Sequence, residues 1–76
     1  MVTVYSTPTC APCRVVKARL KARGIPFEEV DLTTNPDRLA DVKRRKGTDI
    51  IQTPVLEFAG SLYQIDALPG IIRAHE

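Results

Sequence analysis

A chain of 76 residues, 43% of them apolar, is long enough for one small core and too short for two. Its formal net charge of +2 falls far short of the cationic stripe that phosphate binding needs, which argues against nucleic acid as the main partner. No stretch approaches the roughly 20 apolar residues of a helical membrane span, so no membrane role is expected.

Val2-Thr3-Val4-Tyr5-Ser6 alternates and is rich in β-branched residues, so it reads as a strand starting next to the first residue, with no charged leader. This points to the cytoplasm. Thr7-Pro8-Thr9 breaks the strand. From Cys13 to Arg23 the pattern is helical, with Val16 and Leu20 four apart on one face and cations such as Arg14, Lys17 and Lys21 on the other. Thr9 is the expected N-cap, and Pro12 suits the first turn. Gly24 and Pro26 stop the helix. Phe27 to Leu32 is a second strand, parallel to the first through a helical crossover.

Asn35-Pro36 opens a second helix, with Asn35 as cap and Asp37 favouring its dipole. It runs through Leu39 and Val42 to Lys46 and ends at Gly47. Thr48 to Thr53 is a loop. Pro54 to Phe58 and Ser61 to Ile65 are the third and fourth strands, joined by an Ala59-Gly60 hairpin. Asp66 is expected to cap a last helix reaching Ala74. The order β-α-β-α-β-β-α makes residues 1–76 one α/β domain, a four-stranded mixed sheet flanked by helices.

Cys10-Ala11-Pro12-Cys13 lies between a strand and a helix, and this placement carries more information than the four letters. In a reducing compartment a cysteine pair is more often catalytic or metal-binding than structural. A bridge so short also restricts little of the unfolded chain. Unpaired N–H groups and the positive dipole end at a helix start lower a thiol pKa from roughly 8.5 to about 3.5–7.5. Cys10 is then the exposed nucleophile. Cys13, one turn further in, is the shielded resolving thiol. Cys10 thiolate attacks a disulfide, and Cys13 releases the reduced substrate from the mixed disulfide. A pair of inert core cysteines is the plain alternative, and the strand-to-helix position argues against it.

Structural zinc needs four ligands, and Cys10, Cys13 and the lone His75 cannot complete a Cys/His set in one chain. His75 reads as a solvated or dipole-pairing terminal residue. An iron–sulfur carrier sharing a cluster between two chains through Cys10 would have no use for Cys13. No bound cofactor or metal is therefore expected, only the redox-active Cys10–Cys13 disulfide. Lys43-Arg44-Arg45-Lys46 reads as the solvated last turn of the second helix. Thr53-Pro54 heads a strand with a residue that lacks a ladder donor. On that dipeptide alone, plain entry into a strand is the simpler reading.

Taken together, Val2 to Ser6, Cys10-Ala11-Pro12-Cys13 and Thr53-Pro54-Val55 resemble the glutaredoxin family of the thioredoxin fold over nearly the whole chain. The resemblance implies a cis Thr53–Pro54 peptide that faces the cysteine pair and offers backbone to an extended substrate. Pro12, Thr53, Pro54 and Asp66 are then the substrate-binding positions beside Cys10 and Cys13. Length and plan are similar to the NrdH-type branch. That branch takes electrons from thioredoxin reductase and passes them to ribonucleotide reductase. Gly24-Ile25-Pro26-Phe27 and Gln52-Thr53-Pro54-Val55 fit it.

The branch's Trp-Ser-Gly-Phe-Arg-Pro-Asp signature is replaced by Gln64-Ile65-Asp66-Ala67-Leu68-Pro69-Gly70, where only Pro69 matches. In the glutathione-using branch a Gly-Gly pair precedes an acidic residue. Here Tyr63-Gln64 stand in place of the glycines, Asp66 keeps the acidic position, and Thr7 occupies a site often filled by Lys or Arg. The expected protein is a monomeric dithiol–disulfide oxidoreductase of electron-carrier type, acting on protein disulfides such as that of ribonucleotide reductase. Its reductant is thioredoxin reductase or a low-molecular-weight thiol. The alternative is removal of mixed disulfides with glutathione or mycothiol.

Overall fold

The computed structural model describes residues 1–75. Strands β1 (Val2–Ser6), β2 (Phe27–Asp31), β3 (Val55–Phe58) and β4 (Ser61–Tyr63) form one mixed sheet in the order β2-β1-β3-β4. Helices α1 (Ala11–Ala22), α2 (Pro36–Lys46) and α3 (Leu68–Ala74) flank it. β1 pairs parallel to β2, from Val2↔Phe27 to Ser6↔Asp31, and antiparallel to β3 through Tyr5↔Val55. The architecture is the four-stranded mixed sheet flanked by helices expected from the order of elements, and the thioredoxin-like α/β fold that the family resemblance implies.

Alternation along β1 divides the core in two. Val2 and Val4 face Val16 and Leu20 of α1 and Leu68, Ile71 and Ile72 of α3. Tyr5 faces the other way, into Val30, Leu32, Val42 and Val55, with Leu39 of α2 packed on this cluster. Helices α1 and α3 therefore cover one face and α2 the other. Leu20 is fully buried. Burying such a side chain stabilises the fold by about 1.5–3 kcal/mol.

A polar network fastens α2 to its face. The Tyr5 hydroxyl donates to Glu57 Oε1 at 2.6 Å and accepts from Arg38 at 3.3 Å. Arg45 donates to the same Glu57 oxygen at 3.2 Å and to the Gly60 carbonyl at 3.2 Å. Burial and the Glu57 hydrogen bond raise the Tyr5 pKa. The Tyr5 hydroxyl, opposed by partial burial and aided by Arg45, lowers that of Glu57.

The bounds of several elements differ from expectation, and β3 starts at Val55 rather than Pro54. Helix α1 begins at Ala11 with Cys10 as its N-cap, displacing Thr9. Strand β2 is assigned to Asp31, although the Leu32 N–H still donates to the Ser6 carbonyl at 2.9 Å. Strand β4 stops at Tyr63, and Asp66 lies in a 3-10 turn over Ile65–Ala67. Asp66 does not cap α3, whose N-cap is Ala67 with no side-chain hydrogen bond.

The stops at Gly24 and Gly47 match expectation, both glycines having positive φ. Asn35 is the N-cap residue of α2 as expected, its carbonyl accepting the Leu39 N–H at 3.0 Å, but its side chain makes no cap hydrogen bond and donates instead to the Asp31 carbonyl at 2.7 Å. The charge run at the end of α2 is not simply solvated. Arg45 is tied to Glu57 and Asp41, Arg44 to Asp41, and Lys46 to Gln64.

Candidate functional site around Cys10 and Cys13

Strand β1 delivers the chain to a tight turn in which the Cys10 N–H donates to the Thr7 carbonyl at 3.2 Å. Helix α1 starts at the next residue. Cys10 is extended, with φ −88° and ψ 105°, as a cap must be. Its sulfur accepts the Cys13 N–H at 3.2 Å, taking the role that an oxygen plays in an ordinary cap. Pro12 is the second helical residue and carries no N–H, so the Cys13 N–H comes to the sulfur without competition from that position. Cys10 is half-buried, whereas Cys13 is 1% exposed, on the buried face of α1 with Val16 and Leu20. The two are joined as a disulfide with Cα atoms 5.3 Å apart. Sequence spacing anticipated this pairing but not the capping role of the sulfur.

A cavity of about 260 Å³ opens beside Cys10, between the β1–α1 turn, α1 and β2. Thr7, Arg14 and Lys17 line it on one side, and Ser6, Glu29 and Asp31 line it on the other. Register explains the grouping. Ser6 pairs with Asp31 and Val4 with Glu29, so these side chains share the α1 face of the sheet. Lys17 forms an ion pair with Glu29, and the buried Ser6 hydroxyl lies 3.4 Å from the same carboxylate. The hydroxyl and N–H of Thr33 hold the Asp31 carboxyl below its ordinary range. Sequence reasoning missed Glu29 and Asp31, since only the register brings them to Cys10.

Thr53–Pro54 is a cis peptide, as the resemblance implies. Tyr5 pairs antiparallel with Val55, so β1 leaves the sheet toward Cys10 at the end where β3 enters from Pro54. The two loops share one edge of the molecule. Pro54 is buried and Thr53 half-buried. Asp66 is placed apart from the Cys10 cavity. It is exposed and lines a separate concavity of about 340 Å³ with Phe58, Tyr63 and Ile71. His75 packs on Phe58 with ring centroids 5.2 Å apart, and its Nδ1–H donates to the Ile71 carbonyl at 2.8 Å.

Among the described residues, no group of three or more His, Cys, Asp or Glu is arranged to hold a metal ion. No helix among them is long and apolar enough to cross a membrane.

Comparison with known proteins agrees with this geometry. The NrdH-redoxin of Escherichia coli, described as a glutaredoxin-like protein with a thioredoxin-like activity profile, superposes with a TM-score of 0.78 at 25% identity. The match covers 99% of this chain and 95% of that one. The global transcriptional regulator Spx of Listeria innocua serovar 6a is 35% identical over 75 residues, which is 91% of this chain and 57% of the regulator. The gene 56 protein of Mycobacterium phage L5 is 53% identical over 36 residues, covering 47% of this chain and 35% of the phage protein. The chain thus spans little more than half the length of the regulator and about a third of the phage protein.

The fold carries a Cys-x-x-Cys disulfide at the start of α1. Residues 2–63 match the family model described as Glutaredoxin, and with an NrdH-redoxin sharing the fold end to end, the chain belongs to the glutaredoxin family and is NrdH-like.

Proposed function

We propose that the protein is a dithiol electron carrier that reduces protein disulfides, with Cys10 as nucleophile and Cys13 as resolving thiol. One observation carries this reading. The sulfur of the half-buried Cys10 caps α1 and accepts the Cys13 N–H, while Cys13 is 1% exposed. A hydrogen bond to a thiolate favours the charged form, as does the positive helix end.

In the reduced protein the Cys10 thiolate attacks one sulfur of the substrate disulfide. The other substrate sulfur leaves as a thiolate, and a mixed disulfide forms. Cys13, having lost its proton, attacks the Cys10 sulfur. The Cys10–Cys13 disulfide forms, and the second substrate sulfur leaves as a thiolate. The substrate gains two electrons and the carrier loses two. A reductant then restores the dithiol.

Thr53 and Pro54 are the segment that pairs with an extended substrate by backbone hydrogen bonding. Pro12 shapes the turn under the substrate. Asp66 lies outside the Cys10 cavity, so its part is to contact a substrate large enough to extend beyond it.

We assign thioredoxin reductase as the reductant and ribonucleotide reductase as a candidate acceptor in the cytoplasm. The likeness to an NrdH-redoxin with a thioredoxin-like activity profile supports this. So does the presence of Tyr63-Gln64 where the glutathione-using branch carries two glycines, since side chains there crowd a close backbone approach. The test supplies reduced pyridine nucleotide with either thioredoxin reductase or glutathione plus its reductase, and a protein disulfide as acceptor. Turnover with thioredoxin reductase is expected. Turnover with glutathione alone would make the protein a low-molecular-weight-thiol enzyme instead.

A further inference from the structure

Pro54 ends the sheet early on one side. Strands β3 and β4 pair from Phe58↔Ser61 to Leu56↔Tyr63. Beyond that, Pro54 has no N–H with which to extend the ladder toward Gln52 and Thr53. The side chain of Gln64, the residue after β4, bridges the gap. Its Nε2 donates to the Gln52 carbonyl at 3.2 Å. Its Oε1 accepts from the Lys46 ammonium. A lysine only donates and a backbone carbonyl only accepts, so the amide satisfies both in one orientation alone. The end of α2, the end of β4 and the segment entering β3 thus meet on one side chain.

We propose that Gln64 is a positioning residue that fixes the Gln52–Thr53 backbone in the shape an extended disulfide-bearing segment pairs with. This deepens, and rests on, the assignment of Thr53 and Pro54 as the substrate-pairing segment. Among the described residues the other hydrogen bonds of this loop lie at its beginning, where the Thr48 N–H donates to the Lys43 carbonyl and the Ile50 N–H to Thr48 Oγ1, while Ile51 packs on the Tyr5 cluster. Gln64 provides the tie at the end that matters for substrate. A loose segment would have to be ordered by the substrate itself, which weakens binding without touching the thiol chemistry. A small disulfide that meets only Cys10 draws nothing from the latch, so Gln64 sets a preference for extended protein segments.

Gln64→Glu and Gln64→Ala separate the latch from general stability. The carboxylate of the first keeps Lys46 but has no N–H for the Gln52 carbonyl. The probes are an extended peptide with a mixed disulfide at its central cysteine and a small aromatic disulfide. Both variants are expected to raise KM for the peptide about threefold to tenfold, the worth of one hydrogen bond, with kcat within about twofold. Reduction of the small disulfide and alkylation of Cys10 should change less than about twofold. Lys46→Arg, which keeps a donor-only cation, should retain the wild-type peptide KM. Backbone NMR order parameters at Gln52 and Thr53 should fall in both Gln64 variants. Equal losses on both disulfides, a Gln64→Glu variant that behaves as wild type, or unchanged order parameters would overturn the latch. A wild-type protein that reduces neither disulfide would overturn the reading of the cysteine pair, and the order parameters would still decide the latch.

Discussion

The backbone N–H of Cys13 donates to the sulfur of Cys10 at 3.2 Å, so the first cysteine caps the helix that buries the second. Capping and chemistry therefore share one atom. When the sulfur is a thiolate, the contact becomes a charge-assisted hydrogen bond and strengthens. When the sulfur is blocked, the cap weakens.

Unequal roles for the two thiols follow from this contact. Cys13→Ser should attack a protein disulfide once and stop, accumulating a mixed disulfide on Cys10 visible by intact mass. Cys10→Ser should form no such adduct and should lose reduction altogether. Stable adducts on Cys10→Ser, or continued turnover by Cys13→Ser without added thiol, would reverse the roles.

The Tyr5–Glu57 contact makes stability depend on pH. Glu57 has its folded pKa held below 4.5, chiefly by the Tyr5 hydroxyl. Its contribution is present above pH 4.5 and is lost as pH falls through the lower folded value. A hydrogen bond to a charged group is worth about 1.5–3 kcal/mol, reduced here toward about 1 kcal/mol by partial exposure. Glu57→Gln should therefore lower Tm by about 4–8 °C at neutral pH. Between about pH 5 and 3 its melting curve should fall less steeply than that of the wild type. Asp31 titrates in the same direction in both proteins and cancels in the comparison. Parallel melting curves would contradict this account of Glu57.

The β3–β4 hairpin carries a correctable cost. Its two connecting residues, Ala59 and Gly60, both have positive φ, 54° and 81°. A two-residue turn of this kind favours asparagine followed by glycine, because asparagine tolerates the left-handed region better than alanine. Ala59→Asn should raise stability by about 0.5 kcal/mol, or about 2–4 °C in Tm. A drop in Tm on thermal melting would show that the turn is held by other contacts.

Much of the fold is legible in local pattern. The alternation of Val2 to Ser6 gives β1 its observed bounds, and Gly24 and Gly47 mark helix ends by their positive φ. What local pattern misjudges has physical causes. Thr9 is a better cap by composition, but the turn puts the Cys10 sulfur at the helix end instead. Asp66 is a good cap residue too, yet it sits inside the 3-10 turn, one residue ahead of Ala67, which takes the N-cap position of α3. Contacts made only by tertiary pairing were not legible at all. Tyr5 and Glu57 are 52 residues apart in sequence, and Gln64 meets Gln52 only because β3 and β4 fold back on each other. The cysteine pair was legible because its two partners and their helix start are local.

Competitive alkylation of the fully reduced protein at neutral pH, mapped by mass spectrometry residue by residue, tests the central claim most directly. The half-exposed, helix-capping Cys10 should be modified well before Cys13, which is 1% exposed. Faster modification of Cys13 would contradict the assignment of nucleophile and resolving thiol.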